Sequence, residues 1–244
     1  MHGPAPTITK PSQHLRRTAL LVALAGLYAA LALLGVVPGG WRLRTTFVPQ
    51  EVLSERARQA HRTERLESFA TEALEEGGVL FIGSSTIERF DLDRAFPNAH
   101  VTNRGNGDED LDGLTDRFLS TLEAARYSAV VLYAGSVDFR RHRTPARGVA
   151  RGVTALIDEA LAVDPELRIA LIGILPERVM DPAMAERLRR TNAALAAVAT
   201  EREGVIFVPT DRPPVVDPET GLLESGLSAD SLHLNERGYG VLTG

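Results

Sequence analysis

Five short apolar runs, at 79–82, 101–102, 129–133, 169–174 and 205–208, alternate with amphipathic stretches near 110–125, 146–163 and 181–202. Runs of this length are too short for buried helices and read as strands, while the longer stretches carry the helical period. A strand that must be followed by a helix before the next strand is joined to it by a crossover. Repeated crossovers give a mostly parallel sheet covered on both faces. The expected fold class is therefore α/β, a three-layer α/β/α sandwich. Ligands of open parallel sheets bind outside the carboxyl ends of the strands. Ser85, Gly105-Asn106-Gly107 and Gly135-Ser136 each follow such an end and are expected on one rim.

The region before this alternation differs in kind. No charged residue falls between Arg17 and Arg42, and 18–38 reads TALLVALAGLYAALALLGVVP, about the 20 residues that cross a hydrocarbon core. A cleavable signal has a shorter apolar segment ending in small residues, so an uncleaved transmembrane helix is expected, closed by Pro38-Gly39-Gly40. Residues 1–17 read as a disordered tail and 39–77 as a juxtamembrane helical stalk with a solvated charged face. Residues 78–244 form the remaining domain. Lys10, Arg16 and Arg17 flank one side, Arg42 and Arg44 the other. We read the chain as a single-pass membrane protein with its short tail inside and its domain outside the cytoplasm.

A formal net charge of −5 and the absence of a basic stripe exclude a nucleic-acid footprint. With no cysteine, disulfides, thiol catalysis and Cys-ligated zinc are excluded. The run Asp108-Glu109-Asp110-Leu111-Asp112-Gly113 opens like a calcium loop, with Asp116 at the ninth position. Leu119 stands at the twelfth, where a bidentate Glu is needed. Carboxylates suit the start of a helix without any metal, so no metal or organic cofactor is expected.

The chemistry concentrates in two segments, Gly83-Ser84-Ser85-Thr86 after the first run and Asp230-Ser231-Leu232-His233 near the C-terminus. Gly-Ser-Ser alone also suits a helix cap. Joined to Asp-x-x-His, it supplies a nucleophile, a base and a carboxylate that orients the base. His2 and His14 precede the apolar stretch, His61 lies in the stalk, and His100 and His142 have no acidic partner in a comparable setting; all five read as solvated or structural, and His233 is the candidate base.

Four blocks in order, Val79 to Ile87, Asn103-Arg104-Gly105-Asn106-Gly107, Leu132-Tyr133-Ala134-Gly135 and Asp230 to Asn235, resemble the conserved blocks of the SGNH/GDSL hydrolases. The resemblance implies a flavodoxin-like sandwich with Ser85 as nucleophile, His233 as general base and Asp230 as its orienter. It also implies an oxyanion site built from the nucleophile's own N–H, a second-block Gly N–H and a third-block Asn. Here Val137 stands at that Asn and Asp108 at that Gly. A one-residue shift would make Gly107 the donor, and Asn106 on the same loop would replace the missing amide. The implied activity is a membrane-anchored serine hydrolase cleaving an acyl ester of a lipid or an acylated carbohydrate. Two alternatives stand beside it: a weakly active or non-catalytic domain binding acylated glycan or lipid, and an envelope carbohydrate O-acyltransferase. The segments 176–182 and 210–228 are expected to shape the substrate pockets.

Overall fold

The computed structural model describes residues 13–34, 36, 49–72, 74 and 76–243. The chain divides into two compact units, residues 1–59 and 60–244. In the first, helix α1 spans Gln13–Leu33. The tail expected to be disordered through Arg17 is thus helical from Gln13, since Gln, Leu and Arg extend a helical run readily. Leu21, Val22, Leu24 and Leu27 on α1 are exposed. The span expected over 18–38 is not found. Its helix ends at Leu33, while Gly35, Val37 and Pro38 lie outside the described residues, and among the described residues no helix is long and apolar enough to cross a membrane. Helix α2, Gln50–Thr71, passes from one unit into the other at Ala60.

The second unit is built on five parallel strands: β1 Val79–Gly83, β2 Val101–Gly105, β3 Ala129–Tyr133, β4 Ile169–Ile172 and β5 Val205–Val208. They lie in the order β2-β1-β3-β4-β5, and Gly83 is in register with both Gly105 and Tyr133. In this order the chain moves one way from β1 to β2 and the other way from β2 onward. The crevice where direction reverses, between the ends of β1 and β3, is where such sheets place a ligand.

Alternate strand residues serve opposite faces. Leu80, Ile82, Val130, Leu132 and Leu171 pack under helices α5 (Leu111–Ala124), α7 (Ala146–Val163) and α8 (Pro182–Thr200). Phe81, Tyr133 and Ile172 pack under the short helices α3 (Ser85–Glu88) and α4 (Leu92–Ala95), the segment carrying Val215 and Leu223, and α9 (Glu236–Thr243). The short helix after β3, Ser136–Arg140, is α6. These are the three layers that the alternation of runs requires. Phe118 is fully buried on the first face, and truncating such a residue to Ala costs about 3–5 kcal/mol.

Helices α5 and α8 begin where side chains can satisfy their unpaired N–H groups. Asp110 accepts from Gly113 N and Asp181 from Met184 N, with Pro182 in the first turn of α8. Strand β2 is longer than its apolar run. Arg104, at its polar end, is 2% exposed, and its guanidinium donates to the carbonyls of Phe69 and Glu72. A buried arginine is tolerable because α2 covers and pairs it, a partner invisible in the strand's own sequence.

Candidate active site

The turn after β1 is dictated by space. Gly83 has φ 152°, and a Cβ there would fall 2.3 Å from the Tyr133 carbonyl oxygen of β3. Only glycine lets the chain leave the strand so close to its neighbour. Ser84 follows in an extended conformation, and its buried hydroxyl lies 2.9 Å from that of Ser136 at the start of α6. Ser85 opens α3 and is half-buried. As the first residue of a helix, its N–H has no intrahelical acceptor. Tyr239 of α9 anchors α3 by donating to the Thr86 carbonyl at 2.8 Å. Burial pushes the Tyr239 phenol up, which keeps it a donor.

Asp230 and His233 sit on a loop closed by the Ser228–Leu234 bridge and by Ala229 N–H donating to the His233 carbonyl. His233 Nδ1 is 2.7 Å from Asp230 Oδ2, and its Nε2 is 3.2 Å from Ser85 Oγ. Asp230 Oδ1 accepts from the N–H groups of Leu232 and His233, each at 2.7 Å. Burial raises the Asp230 carboxyl, but the bonds from His233 and Leu232 outweigh it and hold the group well below the usual carboxylate range. An ionised carboxylate only accepts, so Nδ1 carries the imidazole proton and Nε2 turns its lone pair to Ser85. The three residues named from sequence are thus brought together, across 148 positions for Ser85 and His233.

The oxyanion candidates part company. A Cβ placed at Gly107 would lie 3.8 Å from Ser85 Cβ, so this backbone borders the serine. Asn106 is fully buried; its backbone N–H donates to Gly83 O and its amide to Glu109 Oε1 at 3.2 Å. That amide nitrogen is already engaged by the buried Glu109 carboxylate. Val137, nearly buried at the start of α6, offers no donor. Asp108 adopts φ 58°, and its carboxylate lies 3.5 Å from Arg141, which compensates its charge.

A different carboxylate reaches the site. Glu88, one turn after Ser85, has Oε2 only 2.7 Å from the Cβ position of Gly107, while Oε1 is hydrogen-bonded by His61 Nε2. Neither residue stood out in the sequence. The available signal was the spacing of His61, Arg65 and Phe69 on α2, which the charged pattern around them concealed.

The acidic run near 108–113 serves the fold. Glu109 is clamped by Arg117, whose Nε lies 3.0 and 3.1 Å from its two oxygens, and Asp110 caps α5. Asp138 accepts from Leu111 N–H at 3.0 Å; burial raises its carboxyl, only partly opposed by that bond. The segments expected to line pockets carry structure too. Val215, Val216, Leu223 and Leu227 are buried, and Arg178 N–H donates to the Ser231 carbonyl within the histidine loop. A cavity of about 440 Å³ opens between α3–α4 and α9, lined by Arg89, Phe90, Arg94, Leu234 and Tyr239. It lies beside the serine–histidine pair, with Arg89 3.9 Å from Asp230, and Ser85 is outside its lining.

Residues 83–241, the site's whole span, match the GDSL-like lipase/acylhydrolase family. The chain belongs to that family. Among curated relatives of this GDSL-like chain is platelet-activating factor acetylhydrolase IB subunit alpha1 of Bos taurus, 26% identical over 169 residues covering 67% of this chain and 71% of the relative. Among solved structures, a GDSL-like lipase from Bacteroides thetaiotaomicron is 20% identical with a TM-score of 0.60, covering 76% of this chain and 93% of its own. An acetylxylan esterase from Geobacillus stearothermophilus is 16% identical with a TM-score of 0.53, covering 70% and 93%. These two structures share the fold of the GDSL-like domain.

Proposed function

We propose that this GDSL-like protein is a serine ester hydrolase with Ser85 as nucleophile, His233 as general base and Asp230 as orienter. The observation that carries the reading is the relay from Asp230 Oδ2 through both ring nitrogens of His233 to Ser85 Oγ, at 2.7 and 3.2 Å. In the first half-reaction Ser85 Oγ bonds to the ester carbonyl carbon while its proton passes to His233 Nε2. The carbonyl oxygen becomes an oxyanion beside the N–H groups of Ser85 and the Gly107 loop. Collapse breaks the bond to the alcohol oxygen, which takes the proton from His233 and leaves an acyl-serine. Water then attacks the acyl carbon, His233 accepts its proton and returns it to Ser85 Oγ, and the acid departs.

The relatives are named as a platelet-activating factor acetylhydrolase and an acetylxylan esterase, which supports a short acyl ester as substrate. We place the leaving group in the lipid or acylated-carbohydrate class. An O-acyltransferase would use the same residues with a sugar hydroxyl in place of water. Hydrolysis of a short-chain nitrophenyl ester, with and without Ser85→Ala, tests the reading. Equal rates in both proteins would overturn it. Acyl transfer to an added oligosaccharide in preference to water would select the transferase.

Val137 favours a second reading, a domain of low turnover that chiefly binds its ester. For location, the charge-free stretch 18–38 and the exposed Leu21, Val22, Leu24 and Leu27 support attachment to a membrane, and Lys10, Arg16 and Arg17 before that stretch are our ground for placing the catalytic unit outside the cytoplasm. Release by alkaline carbonate, or protection from protease in intact spheroplasts, would count against attachment and against that orientation respectively.

A further inference from the structure

Helix α2, expected as a solvated stalk, spends one face on the catalytic rim. His61, Arg65 and Phe69 recur every fourth residue and so lie along one side of the helix. All three belong to the compact unit that begins at Ala60. The Arg65 guanidinium donates from Nε to the Gly105 carbonyl at 3.3 Å and from Nη2 to the Asn103 carbonyl at 3.2 Å. Its Nη1 is held by Ser68 Oγ at 3.1 Å and Glu72 Oε1 at 2.9 Å, and its plane sits 4.4 Å over the Phe69 ring. A group fixed on so many sides is preorganised to hold two carbonyls at once, which the single ammonium of a lysine does not match.

Both carbonyls belong to the end of β2, the segment running into Gly107. On its other side that segment is tied to the nucleophile's helix. Asn103 Nδ2 donates to the carbonyls of Ile87 and Phe90 at 2.9 and 3.1 Å, and a Cβ at Gly105 would fall 2.0 Å from Glu88 N. The end of β2 is thus clamped between α3 and α2. His61 adds a second tie through Glu88, whose free oxygen abuts Gly107.

We infer that Arg65 is a positioning residue for the reaction: by gripping the Asn103 and Gly105 carbonyls from outside, it fixes the Gly107 backbone beside Ser85. A helix preceding the first strand therefore completes the oxyanion site. With Val137 unable to donate, the developing charge depends on backbone N–H groups, and their placement matters correspondingly more. A displacement of about 1 Å in such a group costs on the order of a hundredfold in rate.

This inference rests on the reading of Ser85 as nucleophile, and its test separates the two. In the full chain, Arg65→Gln and Arg65→Lys are compared with the native protein for kcat and KM on a nitrophenyl ester, for inactivation by a fluorophosphonate, and for Tm. Arg202→Gln serves as control; Arg202, in the turn between α8 and β5, pairs with Asp158 of α7 at 2.6 Å, away from the rim. Both Arg65 variants are expected to lower kcat and the inactivation rate about ten- to a hundredfold, with KM changed less than about threefold, at a temperature where all proteins are folded. The control is expected to keep native kcat.

Native kcat in either folded Arg65 variant, a rise in KM alone, or an equal kcat loss in the control would overturn the inference. Should Arg65→Gln fail to fold, Arg65→Lys decides on the same criteria. If Ser85→Ala is inactive while both Arg65 variants are native, only the positioning role falls; if Ser85→Ala retains activity, the nucleophile reading falls with it.

Discussion

The hydroxyls of Ser84 and Ser136 lie 2.9 Å apart, joining the ends of β1 and β3 where the sheet changes direction. Both are buried and satisfy each other, which leaves Ser85 as the hydroxyl facing a histidine. A fluorophosphonate is therefore expected to label Ser85, and Ser85→Ala to lower kcat by at least about a thousandfold. Mass-spectrometric mapping of the label to Ser84 or Ser136 would reassign the nucleophile.

Restoring an amide at position 137 is the direct probe of the oxyanion site. Val137→Asn is expected to raise kcat about tenfold to a hundredfold with little change in KM, because the new donor acts on the transition state alone. Asn106→Ala is expected to act through stability, since that amide binds Glu109 in the interior. Unchanged kcat in Val137→Asn would show the site already complete, and loss of kcat in a stable Asn106→Ala would make Asn106 the donor.

The layers, the parallel sheet and the meeting of Ser85, Asp230 and His233 were legible because each rests on a local signal: run length, a glycine after a strand, an Asp-x-x-His spacing. What stayed hidden depends on partners distant in sequence. The apolar run of β2 stops at Thr102, and Arg104 can be buried beyond it only because Phe69 and Glu72, at the end of α2, supply carbonyls to its guanidinium. Nothing in the sequence around Glu88 reports its place beside Gly107, which is folded against it from β2. Asp108, which the resemblance sets at a family glycine, adopts a left-handed φ of 58° that favours glycine, with Arg141 meeting its charge. No spacing rule reports such a compensation.

Asp138 offers a stability test whose sign follows from its burial. Its folded pKa is raised, so ionisation costs stability at neutral pH, and the cost vanishes once the pH falls below the ordinary carboxylate value of about 4. Asn keeps an oxygen for Leu111 N–H. Asp138→Asn is expected to raise Tm by about 2 °C at pH 7 and to leave it unchanged near pH 3, as followed by thermal melts across that range. A lower Tm at pH 7 would mean that the charge itself supports α5.

Asp230 has the opposite sign. Its folded pKa is depressed, so the stability it contributes is present above about pH 4 and is lost as the pH falls toward the folded value. Asp230→Asn is expected to lower kcat about a thousandfold or more, by letting the imidazole take the wrong tautomer. It is also expected to narrow the Tm difference from the native protein between pH 6 and pH 3. A constant Tm gap over that interval would detach the carboxylate's charge from its structural role.

The fifth strand ends at Val208, and everything that follows does double duty. Val215, Leu223, Leu234 and Tyr239 roof one face of the sheet, and the same stretch delivers His233 to Ser85. During synthesis the sheet's strands are all present before either the roof or the base has left the ribosome. A chain interrupted there would leave this face covered by α3 and α4 alone and hold an unactivated serine. Because one segment supplies both, sealing of this core and switching on of its chemistry occur in the same event.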